Sequence, residues 1–201
     1  MITTNDLSPN FKQMLPDLFK KQQELLDKYG EMEGIPSYPF DINDKTSQVW
    51  IKDFLWRITE EMGEAYMEYL FNNTNEMLEE LSDMLHFYLE LMILVGVEVS
   101  DSLSLCMTKA QDQLKESGGV TFERAVLEAI QRITMTGNLL KNKPWKQKMV
   151  KTNIATFKSH VIIGFYATLG LFVAAGCIPT EVYSLYMSKH QINKERQETG
   201  Y

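Results

Sequence analysis

Cysteine is almost missing from this sequence. Cys106 and Cys177 are the only two in 201 residues. Both sit in apolar helical surroundings, which reads as two buried small hydrophobes rather than a disulfide. Strand-like alternation is missing as well, so the expected class is all-α. The opening MITTNDLSPN has no basic n-region and no apolar h-region. No signal peptide is therefore expected, and the cytoplasm is the expected compartment. Nor is positive charge in excess: a net charge of −7 argues against wholesale nucleic-acid binding, though not against a local basic site. One run, 161–178, lacks charge over a length close to a membrane span. Its Gly164, Gly170 and Gly176 favour close helix approach, so we expect a buried central helix of a bundle and no membrane.

What is present is helical periodicity. Phe11, Met14, Leu15, Leu18, Phe19, Leu25 and Leu26 predict a helix over 11–29. Gly30, Gly34, Pro36 and Pro39 predict a loop over 30–46. Apolar stripes predict helices over 48–71 and 76–95. Ser100 and Asp101 resemble an N-cap for a helix to about 116, ended by Gly118 and Gly119. Thr121 opens a helix to about 140, the segment KNKPWK interrupts, and a long helix runs on to about 175. Pro179 starts the last one. The expectation is a single domain, 1–201, built as a bundle of about six to seven helices.

The chain carries an internal similarity. At an offset of 80, the segments from Gly96 and Gly176 share Gly, Ser-Leu, Met, Lys and Gln in register. RITEEMGE at Arg57 resembles RITMTGN at Arg132. Residues 48–118 and 122–201 thus read as tandem copies of one helical unit, with chance likeness between amphipathic helices as the alternative. The first copy holds Glu60, Glu61, Glu64, Glu80 and Asp83. The second has Met135, Thr136, Asn138, His160 and Ile163 there, so it is degenerate in its acids. No acidic residue lies between Glu128 and Glu181, while Arg132, Lys141, Lys143, Lys146, Lys148, Lys151 and Lys158 are basic. The expectation is a metal half facing an anion half; a solvated basic face is the alternative.

Glu61 and Glu64 are three apart on one predicted helix, and Glu80 and Asp83 repeat the spacing on the next. An antiparallel hairpin brings the pairs together. Converging carboxylates repel and raise one another's pKa, which a hard, oxygen-seeking divalent cation relieves. Two solvated acidic faces are the competing reading.

The E-x-x-E then E-x-x-D pattern, EMGE at 61–64 and ELSD at 80–83, resembles that of the all-α nucleoside triphosphate pyrophosphatases. These comprise the MazG-like enzymes, dimeric dUTPases and phage dCTPase/dUTPases. DMLHF at 83–87, KHQINKERQETGY at 189–201, KPWK at 143–146 and QQELLD at 22–27 resemble further motifs of the dUTPase branch. The resemblance implies tandem MazG-like units and Mg²⁺-dependent hydrolysis of a deoxynucleoside triphosphate, dUTP ahead of dCTP, to the monophosphate and pyrophosphate, with a broad-specificity MazG-like pyrophosphatase as the alternative. Mn²⁺ is the alternative metal, and a homodimer is implied. It assigns Glu61, Glu64, Glu80 and Asp83 to the metal, with Glu61 orienting the attacking water. Lys189, Arg196 and Tyr201 would hold phosphates and Asn193 the nucleoside. His86 and Phe87 would line the sugar and base pocket near Gln23 and Trp145, with Lys143 and Lys146 assisting phosphate. The sequence departs at Leu26 and His190, where many relatives have Asn, and its K-x-W-K lies in the second copy.

Two other classes fit part of this. A di-iron bundle uses two Glu-x-x-His motifs, whereas only Asp83 and His86 approach that spacing. A protein that binds or senses nucleotide without turnover would keep a site but not the full set of acids.

Overall fold

The computed structural model describes residues 11–100, 102–116, 118 and 121–200, with only the backbone described at 31–33. The expected roles of Asp101, Gly119 and Tyr201 lie outside the described residues. Seven α-helices and no strand occur among those described: α1 Phe11–Glu33, α2 Lys45–Leu70, α3 Thr74–Leu94, α4 Cys106–Glu116, α5 Phe122–Leu139, α6 Ile154–Ala174 and α7 Pro179–Thr199.

Local chemistry sets most boundaries. Asp44, Thr121 and Asn153 accept hydrogen bonds from the backbone N–H groups of Ser47, Arg124 and Thr156, opening α2, α5 and α6. Pro179 opens α7, where Glu181 accepts from Ile178 N at 2.8 Å. α1 outruns its expected end. It passes through Gly30 and stops where Gly34 takes a positive φ of 68° and returns its N–H to Gly30 O. The helix expected from Ser100 begins instead as a short 3-10 turn, Leu103–Leu105, with Ser100 Oγ accepting from Leu103 N.

α2 packs along α3, and α5 along α6. The two hairpins exchange their third helices: α4 lies on α6, while α7 lies on α3 and α1. The C-terminal half of α3 and most of α6 are buried, so these two helices form the bundle's centre. α6 has the length and apolarity of a membrane span, yet most of that stretch is buried within the protein.

Close approach at the centre depends on Gly164. Tyr88 of α3 donates its hydroxyl to Val161 O at 3.0 Å, and a Cβ on Gly164 would lie 2.1 Å from that hydroxyl oxygen. Gly164→Ala must therefore push α3 and α6 apart or expel the Tyr88 hydroxyl from its bond. We expect it to lower unfolding free energy by about 1–3 kcal/mol in denaturant titration. Unchanged stability would mean that the contact is not tight.

Candidate active site

The α2–α3 hairpin does what the spacing implied for three of the four acids. One carboxylate oxygen each from Glu61, Glu64 and Glu80 lies within 4.8 Å of the others. Around a magnesium ion with bonds of about 2.1 Å, oxygens are separated by at most about 4.2 Å. A small side-chain closure thus gives a cation three ligands, and the all-oxygen donor set suits a hard one. Burial first, then the charges of Asp83, Glu64 and Glu80, push the Glu61 carboxyl up to about 8. Glu80 is raised for the same reasons, burial leading.

Asp83 stands outside that triangle. Lys189 of α7 donates to it at 2.7 Å and to Glu79 at 2.8 Å. Burial raises the Asp83 carboxyl, and Lys189 offsets part of the rise. Burial also works against the charge on Lys189, but its two carboxylate partners outweigh that and hold its pKa above the ordinary lysine value. The ammonium satisfies the acid that a cation would otherwise take up.

A cavity of about 460 Å³ opens beside these groups, a size suited to a small ligand. Glu61, Asp83, His86, Phe87, Asn193 and Arg196 all line it. His86 is buried, and its Nδ1 donates to Ser82 O at 2.8 Å. Burial drives its pKa down to about 3, so the ring is neutral and Nε2 is an acceptor. Among the described residues Nε2 has no hydrogen-bond partner, and the ring stacks on Tyr186 with centroids 4.0 Å apart.

Other expected residues lie elsewhere. Gln23 donates to Asp27 and to the Tyr38 hydroxyl and is not among the residues lining the cavity. The cavity's glutamine is Gln22, which sits on the buried stripe of α1 while Gln23 does not. Lys143, Trp145 and Lys146 lie in the 140–153 connection, with Trp145 75% exposed. Asn142 ties that connection to the start of α2, its N–H donating to Gln48 Oε1 and its amide to Asn43 O. Gln48 precedes Glu61 by roughly 20 Å of helix. Within one chain these three residues do not meet the carboxylates. The anion half changes accordingly. Arg132 pairs with buried Glu128, and Lys158 donates to Gly96 O. The cations lining the cavity are Arg196 and, unforeseen, Arg57, while Lys189 reaches its edge by holding Asp83.

Arg57 lies one turn before Glu61 on α2. It bonds Asp53 at 2.9 Å and the Tyr29 hydroxyl at 3.2 Å, and its guanidinium lies over Phe54 and Phe87. Leu25, Tyr29, Glu90 and Gln197 complete the lining that sequence reading missed. Helix spacing was the available signal: Arg57 is four before Glu61 and Glu90 seven after Asp83, each on its partner's face.

A protein-family model described as dUTPase matches residues 14–201. No curated protein and no solved structure matches.

The raised acids make a pH prediction. Glu61 has an ordinary value of 4.5 and a folded value of about 8, so its ionised form is disfavoured in the fold. The unfolded chain ionises it first. Metal-free stability should therefore fall as pH rises from about 4.5 and level off above about 8. A divalent cation should raise Tm far more near the upper end of that window than at the lower end, read by thermal unfolding with and without Mg²⁺. Equal metal stabilisation at both ends would contradict the arrangement.

Proposed function

The chain belongs to the dUTPase family, and from that membership we propose that it is a Mg²⁺-dependent dUTP pyrophosphatase, yielding dUMP and pyrophosphate. dCTP is the second substrate considered, and Mn²⁺ the alternative metal. One observation supports this beyond the family: Glu61 of the carboxylate triangle, Asp83 with its lysine partner, and the rings of His86 and Phe87 meet at one cavity. That is an electrostatic plan for a polyanion with a ring at one end.

Glu61, Glu64 and Glu80 would hold the metal, with Asp83 joining as Lys189 turns to the phosphates. When bound, Mg²⁺ supplies charge screening on the phosphate oxygens and acidifies water. Glu61 lines the cavity beside the metal cluster, and once the metal has displaced its proton its carboxylate would orient the attacking water and accept a proton from it. The water oxygen bonds to the α-phosphorus, and the bond from that phosphorus to the bridging oxygen breaks. Pyrophosphate carries the electron pair away. Lys189 meets the phosphates as a point charge, and Arg196 grips two oxygens with its planar fork. His86 Nε2, a buried acceptor in want of a donor, suits a sugar hydroxyl. Asn193 on α7 faces the same cavity for the nucleoside, and Phe87 beneath Arg57 gives the base a flat wall.

The remaining parts of the reading are a tandem duplication of residues 48–118 and 122–201, a cytoplasmic setting and a homodimer. The exchange of α4 and α7 between the hairpins fits a duplicated unit. Exposed Trp56, Met67, Leu70 and Phe71 along α2 fit a subunit contact.

Pyrophosphate release from a panel of nucleoside triphosphates tests the function. dUTP should be cleaved at its α-phosphorus, giving pyrophosphate and no orthophosphate. Glu61→Ala and Asp83→Ala should each cut kcat by at least about a hundredfold while far-UV circular dichroism stays unchanged. Near-normal turnover in either variant would overturn the assignment. Tight nucleotide binding without release by the unmutated chain would favour a sequestering protein.

A further inference from the structure

The chemistry above leaves one end of the cavity unused. Glu90 lies two turns beyond Asp83 on α3, roughly 10 Å further along the axis. It lines the cavity and is only 7% exposed. Gln22 Nε2 donates to Glu90 Oε1 at 2.9 Å, and Gln22 Oε1 accepts from the Tyr186 hydroxyl at 2.8 Å. These two bonds fix which way the Gln22 amide faces. One Glu90 oxygen is thereby committed. Oε2 has no hydrogen-bond partner among the described residues. Glu90 lines the cavity, and this oxygen is open to it rather than sealed in the core, so a ligand there can displace its water and take up the bond.

Position says which part of a ligand reaches it. Going along α3 from the metal end, Asp83 comes first, His86 with its acceptor Nε2 is next, and Glu90 is last. A nucleotide with its phosphates at Asp83 and its sugar at His86 brings the base to Glu90. Leu25 and Phe87 supply apolar lining, Arg57 and the Tyr29 hydroxyl are bonded to each other, and Gln197 donates to Leu25 O, which leaves Glu90 Oε2 as the carboxylate oxygen open to a base there.

Resting on the nucleotide reading given above, we propose that Glu90 is a specificity-determining residue whose Oε2 reads position 4 of a pyrimidine. As a carboxylate it accepts from the cytosine amino group; as a carboxylic acid it donates to the uracil oxo group. Its proton therefore sets which of the two nucleotides binds better. Burial pushes the Glu90 carboxyl up to about 7, while Gln22 and the charge of Arg57 draw it down. The groups around it are Gln22 and Tyr29 from α1, and Arg57 and Glu61 from α2. Tyr186, Asn193 and Arg196 come from α7, and neutral His86 and Asp83 from α3.

The test compares kcat/KM for dUTP and dCTP from about pH 6 to about pH 8.5, in the unmutated enzyme and in Glu90→Gln. The introduced amide can still accept from Gln22 through its oxygen, and its nitrogen then offers the base a permanent donor. The unmutated dUTP-to-dCTP ratio should fall by about tenfold across this range. In Glu90→Gln the ratio should be flat, with dCTP down at least about tenfold and dUTP within about threefold. Equal losses for both substrates, or a ratio that stays pH-dependent, would overturn the proposal. If Glu90→Gln does not fold, the unmutated ratio decides, and a flat one overturns it. If the unmutated chain cleaves neither triphosphate, the function fails separately. Calorimetric affinities for dUMP and dCMP over the same pH range then judge Glu90, with an unchanged dUMP-to-dCMP ratio counting against it.

Discussion

Partial burial of carboxylates that also repel one another is the constraint on which this site depends. The α2–α3 contact is the backbone of one helical hairpin, and its burial forces Glu61, Glu64 and Glu80 within 4.8 Å of one another. Nothing in the fold relieves that triangle fully. Burial first, with the neighbouring charges added, makes Glu61 hold its proton to about 8, and Asp83, beside the triangle, binds Lys189. In the proposed reaction each would yield a working group: a base once the Glu61 proton leaves, and an ammonium released from Asp83 once a cation takes that acid. A site built to store repulsion is poised for an incoming cation.

The second feature is linear order along α3. One face carries Asp83, then His86 and Phe87, then Glu90, and α1 and α7 close over it with Gln22, Tyr186, Asn193 and Arg196. The helix acts as a ruler, with the acid cluster at one end and the Gln22–Glu90 hydrogen bond at the other. This explains why α7 must cross from the second hairpin to lie on α3. It delivers Lys189 to the acids and Tyr186 to the Gln22–Glu90 pair from one rigid element.

Helix existence and type were legible in the sequence because periodicity and caps agree: Asp44, Thr121, Asn153 and Pro179 each stand where a helix begins. The acidic triangle was legible because i, i+3 spacing is a local property. Gln22 was harder. Gln22 and Gln23 are neighbours, and only the packing of α1 shows which faces inward. The lysine-rich connection misled for a related reason. Charge counts along a chain do not say where Asn142 anchors a loop, and Asn142 fastens this one to the beginning of α2. Arg57 and Glu90 escaped notice because one reads as a surface cation and the other as an acid in an apolar run. Their meaning comes from what α1 and α7 place opposite them.

In the proposed site the carboxylate cluster holds a proton that a metal would displace. Isothermal titration of Mg²⁺ into the nucleotide-free protein near neutral pH, repeated in buffers of different ionisation enthalpy, counts protons released per ion bound. With Glu61 protonated up to about 8, binding should release about one proton. Heats independent of the buffer, or binding undiminished in Glu61→Gln, would contradict the claim.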